Sequence, residues 1–144
     1  MKKVKYGFTC GAFDLLHYGH VIMFKECKKY CEHLTVGLQV DPSVDRKDKH
    51  KPLQSLKERL VVLDAIKYID KIITYKTEKD LLGLLKELKS SKELDIRFLG
   101  DDWKGKEYTG WYLPIKCHFN KRMNHKWSSS YMRELVKNET KCKL

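Results

Sequence analysis

The sequence predicts a single α/β domain, a three-layer sandwich around a mostly parallel five-stranded sheet. Short apolar runs alternate with segments of helical periodicity along the whole chain. No linker, internal repeat or break in composition divides residues 1–144, so one domain is expected over all of them. At 42% hydrophobic residues, a chain of this length can bury a real core. Strands separated by helices pair in parallel, and helices then cover both faces of the sheet.

Taken in order, Val4 to Thr9 reads as a buried strand. Cys10 to His20 leads from it through Gly11 into a helix over Val21 to Cys31, with Val21, Phe24, Cys27 and Cys31 inward. Leu34 to Val40 is the second strand, ended by Asp41-Pro42-Ser43. A charged loop, Val44 to Gln54, carries Arg46, Lys47, Lys49 and Lys51. Ser55 is the expected N-cap of a helix running to about Tyr68, with Leu56, Leu60, Leu63 and Ile66 inward. Lys71 to Thr74 is a short third strand, and Glu78 to Lys89 an amphipathic helix built on Leu81, Leu82, Leu85 and Leu88. Asp95 to Leu99 makes a fourth strand that stops at Gly100. A fifth strand is expected near Leu113 to Phe119, and Ser128 to Val136 closes the chain as a helix. In such sheets the ligand lies beyond the carboxyl ends of the strands, where strand order reverses. The loops after the first, second, fourth and fifth strands are therefore expected to meet at one site.

The formal charge of +11 suits a polyanionic ligand, a nucleoside triphosphate or a nucleic acid. The lysines are spread along the chain, however, so charge alone decides little. No apolar segment approaches the roughly 20 residues of a membrane span. The basic start, Met1 to Gly7, lacks a signal peptide's apolar centre, which makes cytoplasm the expected compartment. The five cysteines are odd in number and match no disulfide framework or zinc spacing. Cys27 and Cys31 are expected to pack on one helix face in a reducing compartment, without a metal.

The stretch with chemical content is Cys10-Gly11-Ala12-Phe13-Asp14-Leu15-Leu16-His17-Tyr18-Gly19-His20. It places two histidines three residues apart at a helix start, where positions i and i+3 face the same way. Free backbone N–H groups and the positive end of the helix dipole lie beside them, as an anion requires. In-line phosphoryl transfer asks a protein mainly for positioning and charge stabilisation, and two imidazoles can donate hydrogen bonds to the developing charge.

Gly11, Phe13, Asp14, His17, Gly19 and His20 resemble the G-x-F-D-x-x-H-x-G-H signature of the cytidylyltransferase-like nucleotidyltransferases. The resemblance implies a Rossmann-like fold of the HIGH-motif type. It also implies that His17 and His20 stabilise the transition state at the α-phosphorus, with Gly11, Ala12 and Phe13 lining the nucleotide. Gly100-Asp101-Asp102-Trp103-Lys104-Gly105 resembles the G-D-D-W-x-G loop of the glycerol-3-phosphate cytidylyltransferase group, in which it lies against cytosine and ribose. Gly100 would then admit the base, and Asp102 would fix the loop. By the same resemblance Arg59 aims at the substrate's phosphate, against the plain alternative of a solvated helix face. Lys47 and Lys49 are the best matches, with Lys51 also possible, for the loop lysines that neutralise the triphosphate. Tyr68-Ile69-Asp70 lies at the dimer interface of relatives, which implies a homodimer.

The final motif of that group, R-T-E-G-I-S-T-T, is altered here to Arg122-Met123-Asn124-His125-Lys126-Trp127-Ser128-Ser129-Ser130. Ser128 and Ser129 keep the hydroxyls that can bond the β- and γ-phosphates at a helix start, a position where a serine can equally serve as a cap. Met123 stands at the expected spacing of the arginine, which leaves Arg122 and Lys126 as candidates for its role. His125 and Trp127 replace residues that are small or acidic in the group.

The expected activity is transfer of a cytidylyl group from CTP to a small phosphorylated alcohol, glycerol 3-phosphate by default, with release of pyrophosphate. His17, His20, Lys49 and Arg59 are the expected catalytic set. Mg²⁺ is the expected cofactor, bridging phosphates with few or no protein ligands. An adenylyltransferase of the same fold, or another acceptor, is the alternative. A basic nucleic-acid-binding module would exploit Trp103, Tyr108, Trp111, Tyr112 and Trp127, but leaves the histidine spacing unexplained.

Overall fold

The computed structural model describes residues 2–122 and 125–142, without the side chains of residues 140–142. Five strands form one sheet: β1 (Val4–Gly11), β2 (Cys31–Gln39), β3 (Lys71–Tyr75), β4 (Ile96–Gly100) and β5 (Lys116–Asn120). All pair in parallel, in the order β3-β2-β1-β4-β5. The order reverses beside β1, so the loop leaving β1 opens the crevice in which ligands of such sheets bind.

Four helices, α1 (Tyr18–Cys27), α2 (Leu56–Asp64), α3 (Glu78–Ser90) and α4 (Ser129–Cys142), accompany the sheet. One core gathers Phe13, Phe24, Leu34, Val36, Leu38, Leu63 and Phe98, with Leu56, Leu60 and Ile66 packed against it. The opposite core joins Phe8 and Tyr75 to Leu81, Leu85 and Leu88 of α3. Each fully buried Phe or Leu contributes roughly 2 kcal/mol, so the two cores hold the sheet between its layers. Among the described residues, no helix is long and apolar enough to cross a membrane.

Every expected element is present, with shifted ends. α1 begins at Tyr18 rather than Val21, because His17 supplies the cap. It ends at Cys27, where Tyr30 N donates to the Cys27 carbonyl and turns the chain. Cys31 consequently opens β2 instead of sharing a helix face with Cys27, although its thiol still meets the Cys27 carbonyl at 3.4 Å. Ser55 caps α2 as expected, in a reciprocal box with Glu58. The helix stops at Asp64, short of Tyr68, because Ala65 and Ile66 tighten onto the carbonyls three residues back.

Candidate active site

The β1–α1 loop is tightly constrained. Phe13 (φ 49°) and Leu15 (φ 52°) both adopt the left-handed conformation that costs a side-chain-bearing residue free energy. The Phe13 ring offsets that cost by burial, edge-on to His20 at 5.7 Å and tilted against Phe24 at 5.3 Å. Asp14 accepts the backbone N–H groups of Leu53 and Gln54 at 2.9 and 3.0 Å, and Arg133 of α4 at 3.0 Å. Leu15 N donates to Gln54 Oε1 at 2.9 Å. The loop is thus tied to the segment before α2 and to α4.

At its end, His17 caps α1. Its Nδ1 accepts from Gly19 N at 3.0 Å, and His20 Nδ1 accepts from His17 N at 3.2 Å. Both Nδ1 atoms are acceptors, so in the neutral rings Nε2 carries the proton. The rings lie 4.0 Å apart, centroid to centroid. Burial pushes His20 down to about 4, helped by His17 and the Arg122 guanidinium. Burial also lowers His17, with Arg122 and His125 adding repulsion. At neutral pH, therefore, the pair presents two uncharged N–H donors.

A cleft of about 850 Å³ opens over these rings, a size that suits a nucleotide with a small second substrate. Gly11, His17, His20, Gly100, Asp102, Arg122, Ser128 and Ser129 all line it. A Cβ on Gly100 would sit 2.5 Å from Asp102 Oδ1, a contact that the exposed carboxylate can relieve by rotating. Ser128 Oγ accepts from Tyr131 N at 3.0 Å, so Ser128 does cap α4, while its hydroxyl proton remains a donor. Met123 lies outside the described residues.

The remaining expectations are corrected. Arg59 is neither solvated nor in the cleft: it is 2% exposed. Its guanidinium donates to the carbonyls of Gln54, Ala12, Gln39 and Val40 at 2.6 to 3.1 Å. With four N–H groups committed, it clamps the ends of β1 and β2 and has little left to offer a phosphate. Ala12 and Phe13 do not line the cleft either, the one bound to Arg59 by its carbonyl and the other turned into the core. Lys47 and Lys49 are exposed and stand off the cleft wall. Asp45 accepts from Glu78 N at 2.6 Å, and Arg46 pairs with Glu78, so this turn delivers Arg46 to the cleft instead.

The β3–α3 junction also joins the site, through Tyr75 and Glu78, and β4 contributes Arg97. Sequence reasoning missed these, yet a signal existed: Arg97 interrupts the apolar run Ile96-Arg97-Phe98-Leu99, where a charge is costly unless used. In the sequence His125 stands out only as a departure from the motif. It packs edge-on to Tyr18 at 5.5 Å and lines the cleft beside His17. His118, stacked on Tyr30 at 4.2 Å, forms part of the wall.

Glycerol-3-phosphate cytidylyltransferase of Bacillus subtilis (strain 168) is 34% identical over 110 residues, covering 74% of this chain and 76% of that one. Bifunctional protein HldE of Paramagnetospirillum magneticum (strain ATCC 700264 / AMB-1) is 41% identical over 88 residues, 59% of this chain but only 18% of that longer one. Among solved structures, the lipopolysaccharide core biosynthesis protein from Thermoplasma volcanium GSS1 is similar with a TM-score of 0.61 at 25% identity, over 85% of this chain and 98% of that one. Residues 8–135, from inside β1 to inside α4, match the family described as Cytidylyltransferase-like, and the chain is therefore a member of that family and a nucleotidyltransferase.

Proposed function

We propose that the chain transfers a cytidylyl group from CTP to a small phosphorylated alcohol, with glycerol 3-phosphate as the default acceptor. The observation that carries this reading is the pair of Nε2–H donors held by His17 and His20 beside the start of α4. A phosphate oxygen of the acceptor attacks the α-phosphorus in line. The bond from that phosphorus to the bridging oxygen breaks, and pyrophosphate leaves with the electron pair. The two imidazoles hydrogen-bond the non-bridging oxygens as charge builds on them. Arg122, Ser128 and Ser129 hold the departing diphosphate.

Gly100 and Asp102 support cytidine by their likeness to the cytidylyltransferase loop, and the Bacillus subtilis relative supports glycerol 3-phosphate. Among the described residues, no group of three or more His, Cys, Asp or Glu is placed to hold a metal ion. Mg²⁺ held through phosphate oxygens and water would neutralise the triphosphate. A homodimer through the Tyr68-Ile69-Asp70 turn that follows α2 is part of the same proposal, supported by Val61 and Val62, which are exposed on the neighbouring helix. ATP is the second reading, because His125 and Lys126-Trp127 depart from the final motif of the cytidylyltransferase group. Pyrophosphate release with CTP against ATP, each with glycerol 3-phosphate and Mg²⁺, tests the proposal. Faster release with ATP, or none with either, would overturn it.

A further inference from the structure

The cleft has a second wall, on the α3 side of the sheet. Phe8 packs among the α3 leucines, and in the parallel ladder Phe8 pairs with Arg97, Cys10 with Gly37 and Gln39 with Tyr75. Residues paired across a parallel ladder face the same side, so Cys10, Gln39, Tyr75 and Arg97 share the α3 face. The imidazoles rise from the other side, over Phe13 and Phe24.

This wall is rich in donors without partners. Arg97 is 3% exposed. One of its terminal N–H groups donates to the Thr109 carbonyl, and its guanidinium lies over the Tyr108 ring at 5.2 Å. Its Nε finds no hydrogen-bond partner, and no carboxylate among the described residues pairs with it. Gln39, 1% exposed, has an unpartnered Nε2. Arg46 Nε is also buried and unbonded, 3.5 Å from Glu78 Oε1 in an ion pair that forms no hydrogen bond. All three residues line the cleft.

The Cys10 thiol and Tyr75 hydroxyl on the same wall bond each other, and the thiol also meets Arg97, but both are neutral and neither balances its charge. Glu78 is the nearby carboxylate, and it already takes Thr109 Oγ1 at 2.8 Å and the Arg46 charge. Burial raises Cys10 and keeps its thiol neutral. Native proteins leave few buried donors unpaired, and here three converge on one wall of a cleft. A hydroxyl group would bring protons that themselves need acceptors. A group made of oxygen lone pairs and negative charge satisfies every donor and balances Arg97.

We propose that Arg97, Gln39 and Arg46 form the acceptor subsite and seat an oxyanion of the second substrate, a phosphate or a carboxylate. The proposal rests on the nucleotidyl-transfer reading for its name, and on the unpartnered donors for its chemistry. The oxyanion has two possible sources: the attacking phosphate itself, or a second acid group on the acceptor.

The test titrates protein saturated with a non-hydrolysable CTP analogue, using glycerol 3-phosphate and 3-phosphoglycerate as probes. The readout is the Nε–H NMR cross-peak of Arg97, identified by its loss in Arg97→Lys. A saturable shift is expected, with affinity at least tenfold weaker in Gln39→Met while the analogue's affinity is unchanged. A shift with glycerol 3-phosphate makes the attacking phosphate the occupant; a shift with 3-phosphoglycerate alone makes it a second acid group. No saturable shift with either probe, or full affinity retained in Gln39→Met, overturns the subsite. If the CTP analogue fails to bind but the probes still shift Arg97, the nucleotide assignment fails and the oxyanion site stands.

Discussion

His17 and His20 hold each other's chemistry in place: His20 Nδ1 takes the His17 backbone N–H at 3.2 Å, and His17 Nδ1 takes that of Gly19. The box that starts α1 therefore also selects the tautomer of both rings. Capping consumes the two inner nitrogens, and the two outer ones are left as donors toward the cleft. Structural and chemical roles are shared by the same side chains, so a substitution at either position acts on both.

His17→Ala and His20→Ala are expected to lower turnover by about 100-fold or more, since each removes a donor to the charged phosphorus centre. Each also loses part of the cap, at about 1 kcal/mol of stability. His17→Asn separates the two effects, because an amide oxygen can replace Nδ1 as the acceptor at the cap. It should unfold at the wild-type urea concentration and still lack turnover. Pyrophosphate release and urea unfolding on the three variants check this, and near-normal turnover in any of them would contradict the assigned role.

The same geometry has a pH consequence. His20 is lowered to about 4 in the folded protein, against an ordinary value of 6.5, and His17 is lowered too. The unfolded chain therefore takes up these protons first as the solution is acidified. Stability is complete above pH 6.5 and is lost progressively from 6.5 down to about 4. Protonation at Nδ1 also breaks the box. Urea unfolding across pH 7.5 to 4.5 should show this decline, and His20→Asn should flatten it. Any histidine inflection in turnover should lie below 6.5.

Much of this was legible in the sequence because its signals are local. The six signature positions, the alternation of strands with helices and the Ser55 cap each need only a few neighbouring residues. The departures all depend on contacts distant in the chain. Nothing near Arg59 indicates that the carbonyls of Ala12, Gln39 and Val40 converge on it. The site of Arg97 depends on β4 lying beside β1 and on Thr109, twelve residues onward. Lys47 and Lys49 matched by spacing, but the turn tied down by Asp45 and Glu78 selects Arg46. Spacing reports a motif, whereas the direction of a long cation is decided by what holds its backbone.

Arg59→Met is expected to cost roughly 3 kcal/mol, because buried carbonyls at the ends of β1 and β2 lose a charged donor together. Arg59→Lys should lose nearly as much, since one ammonium cannot span four carbonyls. In the protein that remains folded, the KM for the acceptor should stay within about threefold. A phosphate-binding arginine predicts the reverse, with stability kept and KM raised. Urea unfolding and acceptor-dependent kinetics on both variants separate the two.

Gly19→Ala sets two effects of opposite sign against each other. Alanine in place of glycine within a helix would ordinarily stabilise it by up to about 1 kcal/mol. Here the added Cβ would lie 2.8 Å from His17 Cε1, 2.9 Å from the Trp127 carbonyl oxygen and 3.1 Å from His125 Cε1. The backbone oxygen cannot rotate away, so the segment entering α4 must move, and overpacking of this kind costs about 1–3 kcal/mol. The cost exceeds the gain. The variant should melt lower than wild type, and it should lose about 100-fold in turnover as the His17 ring and the Ser128-Ser129 helix start separate. A higher melting temperature would mean that α4 does not close on α1 through this contact.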